Sequence, residues 1–220
     1  MPILRDYFDA LFQTYGEQHW WPGRTPFEII VGAILVQNTT WTNVERAIAN
    51  LRRERLLTPG AVQKVPQSKL AALVRSSGYF RQKARKLKAF VAFLRKTYRG
   101  SLTAMFRTPT DTLRRQLLSV HGIGPETADS ILLYAGNHPV FVVDSYTRRI
   151  LQRHGLTHGK ESYEEVRGLF EKSLPKQPTL FNEYHALLVH TGKNRCRSRA
   201  PLCSSCTLRT FLPQPLEGSR

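Results

Sequence analysis

Helical spacing of apolar residues in almost every long segment is the feature that most limits how this chain of 220 residues can fold. The segment from Leu4 to Tyr15 is amphipathic, and Pro26 to Val36 is apolar nearly all round, which predicts a buried helix. The same spacing predicts helices over residues 40–54, 68–75, 82–98, 109–120, 125–135, 145–154, 162–174 and 180–192. Gly and Pro mark the connections, among them "TPGAVQKVP" at 58–66. The β-like run at 140–143 is too short to found a sheet, so we predict an all-α protein.

Positive charge narrows the class of partner. The formal net charge is +17, and residues 55–110 contain thirteen Lys or Arg and no Asp or Glu. Neutralising phosphates releases condensed counterions, so this balance favours a nucleic acid, with a ribosomal or membrane-surface role as the alternative. The basic run from Arg81 to Lys88 is either a solvated surface or part of a DNA track.

The N-terminus and the cysteines indicate the compartment. "MPILRDYFDALF" carries charges inside its apolar spacing, unlike a secretory signal or a membrane span, and we expect a cytoplasmic protein without membrane association. The three cysteines, Cys196, Cys203 and Cys206, lie close together near the C-terminus. In an intracellular chain this spacing favours metal or cluster ligation over a disulfide framework.

The stretch "LLSVHGIGPETADSILLYA" (117–135) predicts two helices joined by a tight turn. Thr108 is expected to cap the first helix with Pro109 at its first position, and Pro125 is set to open the second. Backbone N–H groups at such a turn can bind a phosphate oxygen without reading a base. An ordinary helix–helix turn packed on Ile123 is the alternative interpretation.

Asp144 in "VFVVDSYTRRILQRHG" stands just before a predicted helix, where Asp is a favoured N-cap. A capping carboxylate lies at the positive end of the helix dipole and should stay ionised. Such a group could also stabilise a sugar cation and orient a water molecule. The capping role alone would explain the residue, and it does not compete with the catalytic one.

Taken together, the hairpin stretch, "VVDSYTRRI" and the Cys-x6-Cys-x2-Cys spacing resemble the endonuclease III family of helix-hairpin-helix DNA glycosylases. "WWPGRTPFEIIVGAILVQNTTW" and "SGYFRQKARKL" are most similar to its 3-methyladenine glycosylase III branch, and the resemblance covers roughly residues 20–206. It implies two helical lobes with a DNA-binding cleft between them. Residues 26–136 would form a six-helix lobe with the hairpin, and 1–25 plus 137–220 a second lobe ending in a Cys-rich, iron–sulfur-like loop.

The resemblance also implies roles for individual residues. Asp144 matches the catalytic aspartate, and Gly122, Ile123 and Gly124 match the hairpin that grips a phosphate beside the lesion. Gln37 matches a glutamine that fills the gap left by a flipped base, with Asn38 shaping its loop; a plain polar loop is the alternative. The further expected roles are a stacking pocket for an alkylated purine, or simply core packing, at Trp20, Trp21 and Trp41, and DNA backbone contacts at Arg197 and Arg199.

Two departures from the family pattern alter the expected chemistry. Glu126 stands where bifunctional members carry a lysine that forms a Schiff base, and a carboxylate cannot form that imine. Leu212 stands at the fourth cysteine position of the cluster loop, so a [4Fe–4S]-type cluster on Cys196, Cys203 and Cys206 would lack one protein thiolate. A zinc site using His185 or His190, or three free thiols of a vestigial loop, are the alternatives.

The sequence therefore predicts a monomeric, nucleoid-associated monofunctional glycosylase. Its partner would be double-stranded DNA containing a damaged base, most of all an alkylated purine. Two alternatives stay open: an endonuclease III-like glycosylase for oxidised or mismatched bases, and a non-catalytic helix-hairpin-helix DNA-binding protein. The joint presence of Asp144, Gln37 and the tryptophans argues against the second alternative.

Overall fold

A computed structural model describes residues 2–213 of the chain. The described residues contain helices and loops and no β-strand, which confirms the all-α prediction, and the run at 140–143 is extended but unpaired. The chain divides into two compact units, one formed by residues 2–20 and 139–213 and the other by Trp21–His138.

The unit Trp21–His138 contains eight α-helices. They are α2 (Pro26–Leu35), α3 (Trp41–Arg53), α4 (Pro59–Lys64), α5 (Gln67–Leu73), α6 (Phe80–Tyr98), α7 (Leu102–Phe106), α8 (Thr110–Leu118) and α9 (Pro125–Ser130). A single 3-10 turn follows α5, and a π-helical turn, Ile131–Ala135, continues α9. Helix α2 is buried over most of its length, as its all-round apolar sequence predicts, and lies at the centre of this unit's core.

The unit formed by residues 2–20 and 139–213 contains four α-helices. They are α1 (Pro2–Tyr15), α10 (Ser145–Arg153), α11 (Tyr163–Ser173) and α12 (Pro178–Asn194). Two 3-10 turns, Cys203–Ser205 and Thr207–Phe211, follow in the cysteine loop. Helix α12 packs against both α1 and α10, and an aromatic cluster fills the core, with Phe141 stacked on Phe170 at 3.8 Å between ring centroids.

Several sequence-based boundaries were wrong. Residues 58–66 were expected to be a connection, but the Thr58 hydroxyl accepts a hydrogen bond from the Ala61 amide and Pro59 opens helix α4. Thr108 does not cap α8, because Pro109 has extended backbone angles and itself occupies the N-cap position. The single helix expected over residues 125–135 changes to a π-helical turn after Ser130, where the Gly136 amide bonds to the Ile131 carbonyl.

Candidate functional site

Asp144 caps helix α10 through its side chain. Residues 140–143 are buried and extended, and they lead the chain directly into this cap. The Asp144 Oδ1 atom accepts a hydrogen bond from the Thr147 amide at 2.8 Å, so one carboxylate oxygen is committed to the helix terminus. The side chain is 14% exposed, so the Asp144 side chain is partly accessible to solvent.

His185 faces the other oxygen of this carboxylate. Its Nε2 atom lies 3.6 Å from Asp144 Oδ2, and its side chain is only 5% exposed. His185 is carried by α12, which approaches α10 closely: a Cβ added at Gly192 would lie 2.6 Å from the Tyr146 side chain. Glycine at this position therefore permits the helix contact that brings His185 to Asp144.

The carboxyl group of Asp144 is electrostatically poised to stay ionised. Burial works against ionisation, but the charge and hydrogen bonding of His185 and the Thr147 amide outweigh it, so the pKa of Asp144 lies below its ordinary value. A rigidly held carboxylate is suited to stabilise a positive charge that develops next to it.

The glycine hairpin lies between α8 and α9. Gly122 has a φ of +82°, a left-handed conformation that favours glycine, whereas Gly124 has a φ of −94° and a solvent-exposed backbone. Ile123 is buried, with 4% of its surface exposed, and fastens the turn to the core. The two helices are also joined by a bidentate ion pair from Arg114 to the buried Asp129, at 2.7 and 3.1 Å.

The first turn of α9 carries no capping side chain among residues 2–213. Its N-cap is Gly124, and Pro125 at the first helical position has no N–H to satisfy. A helix start of this kind is suited to bind an anion through backbone amides. Glu126 is exposed in this first turn.

Gln37 is fastened to the hairpin. Its Nε2 atom donates to the Gly122 carbonyl at 3.2 Å and to Thr127 Oγ1 at 2.8 Å, and its Oε1 accepts a hydrogen bond from the Lys86 ammonium group. Asn38 is exposed with a φ of +54° at the turn that follows α2. Sequence reasoning assigned Gln37 and Asn38 to this loop but gave no sign that the hairpin would hold the glutamine.

Lys86 of α6 contacts the hairpin, and the sequence did not predict this contact. Its aliphatic stem lies under Gly122, where an added Cβ would come within 2.4 Å of Lys86 Cγ. Its ammonium group reaches Gln37 beside the Gly122 carbonyl. The basic run 81–88 was the only sequence signal, and it does not distinguish this lysine from its neighbours.

Aromatic side chains cluster near the start of α2. Trp21 and Trp41 meet edge to face, with ring centroids 5.1 Å apart, and Trp21 also lies 5.0 Å from the ring of Tyr134. A Cβ at Gly32 would lie 3.2 Å from the Trp21 indole nitrogen, so this glycine lets the indole pack directly on α2. Trp20 belongs to the other unit. Tyr134, 93 residues beyond Trp41, was not predicted as a member of the cluster.

Tyr79 is a second residue that sequence reasoning missed. Its side chain is 65% exposed, and its backbone is left-handed, with a φ of 45°. The next residue, Phe80, contacts two cations: the guanidinium groups of Arg75 and Arg81 each lie 5.8 Å from its ring centroid. An exposed aromatic ring among arginines is suited to stacking on nucleic acid bases.

The three cysteines line one small pocket. Cys196 is buried, Cys203 is exposed and Cys206 is half-buried, and Leu212, at the position of the missing fourth cysteine, lines the same cavity. Burial raises the pKa of the Cys206 thiol, and the nearby Cys196 and Cys203 contribute to the shift. Among the described residues, no three His, Cys, Asp or Glu side chains are already arranged to share a metal ion, and His185 and His190 do not line this cavity.

Arginines of α10 hold the loop that carries Cys196 and Arg197. Arg149 donates to the carbonyls of Cys196 and Gly192 at 2.7 and 2.9 Å. Arg153 donates to the Arg197 carbonyl at 2.6 Å and approaches Cys196 Sγ at 3.3 Å. The helix that Asp144 caps is thus bonded directly to the cysteine loop.

A cationic depression of about 790 Å³ opens beside the first turn of α10. Ser145, which follows Asp144, lines it together with Lys193 and Arg197. Arg199 is also exposed. The structure therefore gathers Asp144, Arg197 and the unpredicted Lys193 around one end of α10, and this charge is suited to an anionic backbone.

No helix among residues 2–213 is both long and apolar enough to cross a membrane.

Residues 31–176 match the model of the HhH-GPD superfamily of base excision DNA repair proteins. The chain is 46% identical over 206 residues to a protein of Methanocaldococcus jannaschii that is assigned by name as a DNA repair glycosylase, with 93% of each chain covered.

Solved structures with similar folds include an endonuclease III trapped as a covalent intermediate with DNA, with a TM-score of 0.82, 26% identity and coverage of 96% of this chain and 94% of that one. A second is the 3-methyladenine DNA glycosylase MagIII of H. pylori bound to 1,N6-ethenoadenine, with a TM-score of 0.73, 29% identity and coverage of 87% and 96%.

Proposed function

The chain belongs to the HhH-GPD superfamily of base excision DNA repair proteins, and from that premise we propose that it is a monofunctional DNA glycosylase that excises an alkylated purine from double-stranded DNA. The observation that carries the proposal is the held, ionised carboxylate of Asp144 in the first turn of α10. The similarity to a glycosylase bound to 1,N6-ethenoadenine supports the class of base. The proposal includes a monomer that acts on DNA in the cytoplasmic nucleoid.

The proposed reaction breaks the bond between the sugar C1′ and the base nitrogen. The electron pair of that bond leaves with the base, and the positive charge left on the sugar is stabilised by the Asp144 carboxylate. A water molecule then adds to C1′, and Asp144 accepts its proton. An electron-poor alkylated purine is a good leaving group, so this route needs no covalent enzyme intermediate.

The damaged strand would be bound through backbone amides and arginine side chains. Amides at Gly122 and Gly124 would hold a phosphate, while Ile123, whose amide donates to the Val120 carbonyl at 3.1 Å, would fix the turn. Arg197 and Arg199 would contact the DNA backbone. Gln37 and Asn38 would occupy the space left by the flipped base, which requires Gln37 to leave its bonds to the hairpin.

The flipped base itself would stack on aromatic rings. Trp21 and Trp41, with Tyr134, offer an aromatic surface for an electron-poor purine. A pocket role for Trp20 is part of the proposal on the sequence resemblance alone.

The absence of lyase chemistry rests on Glu126. It occupies the position of the lysine that forms a Schiff base in bifunctional relatives, and its carboxylate cannot form an imine. Lys193 lines the same depression as Ser145, and borohydride trapping tests whether this lysine forms an imine.

Duplexes that each carry one damaged or mismatched base test the activity. We expect release of an alkylated purine, strand cleavage only after alkali is added, and no adduct trapped by borohydride. Release confined to an oxidised pyrimidine or a mismatched base would replace the substrate with that of the endonuclease III-like alternative. Cleavage at neutral pH or a trapped adduct would overturn monofunctionality, and binding without base release would leave a non-catalytic DNA-binding protein.

We also propose an iron–sulfur cluster held by Cys196, Cys203 and Cys206. The donor set fits three of four ligand positions, because all three thiols line the cavity and Arg153 places a positive charge beside Cys196 Sγ. Ligation would draw the thiols together and brace the loop that carries Arg197 and Arg199. Iron and sulfide counts with visible absorption of anaerobically purified protein test this; bound zinc or metal-free protein would overturn it.

A further inference from the structure

The two oxygens of the Asp144 carboxylate have different surroundings. Oδ1 is held by the Thr147 amide at 2.8 Å, and this bond fixes one end of the group. Rotation about the Cβ–Cγ bond moves both oxygens, and the bond at Oδ1 restrains this rotation from one side only. A second contact, at Oδ2, would define the plane in which the carboxylate faces a substrate.

His185 is the group that lies at Oδ2. Its Nε2 atom is 3.6 Å away, slightly longer than a direct hydrogen bond, and catalytic hydrogen bonds of this kind often tighten only when substrate is bound. The imidazole cannot move far, since its side chain is 95% buried by relative area and its ring lies edge-on to Phe141 at 6.4 Å. The tight contact of Gly192 with Tyr146 holds α12 in register with α10.

We propose that His185 is a positioning residue for Asp144, whose Nε2–H group donates to Oδ2 and orients the carboxylate during base excision. The inference rests on the proposed catalytic role of Asp144. In this arrangement Oδ1 stays bonded to the Thr147 amide while Oδ2 is bonded to His185, so both oxygens of the carboxylate are fixed.

A purely structural role for His185 leads to different expectations. A core histidine would affect the free energy of unfolding, and substitution would alter rate and binding together if the fold were disturbed. A positioning residue would affect the rate of the chemical step and leave duplex binding unchanged.

Two substitutions of His185 separate these roles. In His185→Gln the amide nitrogen reaches close to the position of Nε2 and can still donate to Oδ2, whereas His185→Leu has similar bulk and no donor. His190→Leu is the matched control, because His190 lies on the same helix and its Nδ1 atom pairs with Gln18 Oε1 at 3.1 Å instead. His185→Asn, with a shorter amide, serves as a second donor-displaced variant if the leucine variant does not fold.

Single-turnover excision with saturating enzyme, together with equilibrium binding to an uncleavable duplex, provides the test. We expect His185→Leu or His185→Asn to slow excision by roughly 10- to 100-fold, the rate equivalent of a hydrogen bond to a charged group, with an unchanged Kd. His185→Gln should stay within about threefold of the wild type, which is less than 0.7 kcal/mol of barrier, and His190→Leu should match the wild type.

The outcomes distinguish this inference from the function beneath it. Wild-type rates in folded His185→Leu or His185→Asn, or equal losses in the glutamine and leucine variants, would overturn the positioning role. If Asp144→Asn abolishes excision while the His185 variants do not slow it, the inference alone fails. If wild-type protein releases no base, or Asp144→Asn is fully active, the proposed function fails.

Discussion

Helices α9 and α10 use their first turns in opposite ways. Helix α10 is capped at its N-terminus by the Asp144 side chain, whose carboxylate accepts a hydrogen bond from the Thr147 amide. Helix α9 begins at Gly124, which has no side chain to cap it, followed by Pro125, which has no N–H. A charged side chain is thus fixed at the start of α10, whereas the N-cap residue of α9 contributes backbone only.

The difference matches the separate roles that we propose for the glycine-rich turn and for the aspartate. A turn that binds a phosphate must leave its donors free, whereas a carboxylate that stabilises a cation must be immobile and ionised. If the two helix termini have these separate roles, substitutions at each of them should change different properties of the protein.

The largest effect is expected at the N-terminus of α10, which the Asp144 side chain caps. Asparagine caps helices about as well as aspartate, so Asp144→Asn should leave the free energy of unfolding within about 1 kcal/mol of the wild type. Because the charge is gone, single-turnover excision should fall by about 10²- to 10⁴-fold, with duplex affinity retained. Excision within a few-fold of the wild type would show that the terminus has only a capping role.

Asp144→Ala is the companion to that variant. It should lose both the charge and the cap, and destabilise the protein by about 1 kcal/mol more than the asparagine variant does. Denaturant unfolding of the two variants separates the capping contribution from the catalytic one.

A smaller effect is expected at the N-terminus of α9, whose N-cap is Gly124. There the two hairpin glycines, Gly122 and Gly124, serve as a matched pair of positions for substitution. Gly124→Ala meets no atom within 4 Å and has an ordinary φ, so stability should not change. If a phosphate approaches the backbone there, the added methyl group should raise the duplex Kd by about 5- to 30-fold, equivalent to about 1–2 kcal/mol. Unchanged binding would refute a phosphate site at the start of α9.

Gly122→Ala should behave differently. Its φ of +82° costs an L-residue about 1–2 kcal/mol, and the new Cβ would press on Lys86, so both stability and binding should fall. Denaturant unfolding and duplex binding, measured for both variants, distinguish a lost contact from a disturbed fold.

The smallest effect concerns how the two regions respond to salt. A plot of the logarithm of the DNA-binding constant against the logarithm of salt concentration has a negative slope. Arg197→Ala should make this slope less negative by about 0.9, because one phosphate contact is lost. Gly124→Ala should leave that slope unchanged, since backbone amides carry no net charge. Arg5→Ala is a control, because Arg5 pairs with Asp9 on α1 at 3.0 Å. Equal slopes in the Arg197 and Arg5 variants would contradict the assigned backbone contact.

The features that could be predicted from the sequence are mostly local. The cap at Asp144 depends on residues within three positions, and the helical class follows from apolar spacing. Short helices such as α4 and α7 were missed because five or six residues give too few turns to show a period.

The partners of the site residues could not be read from the sequence because they are distant in the chain. His185 meets Asp144 across 41 positions, and Gln37 meets Gly122 across 85. Neither a buried histidine nor a basic run states which neighbour its side chain will contact. The functional roles of all the site residues stay predictions, among them those of Gln37, Asn38, Arg199 and Trp20, to be tested by the duplex panel and by binding of the corresponding variants.

The arginine bonds between α10 and the cysteine loop have a consequence for how this protein tolerates change. Arg149 and Arg153 grip the backbone of Gly192, Cys196, Arg197 and Ser198 through carbonyl oxygens, whose presence does not depend on side-chain identity. The main-chain tethering acts without any metal, and ligation of the cluster that we propose would add a second, independent means of attachment. Such redundancy is a form of fault tolerance, and it gives a physical reason why leucine can occupy position 212 while the loop keeps its place beside Asp144.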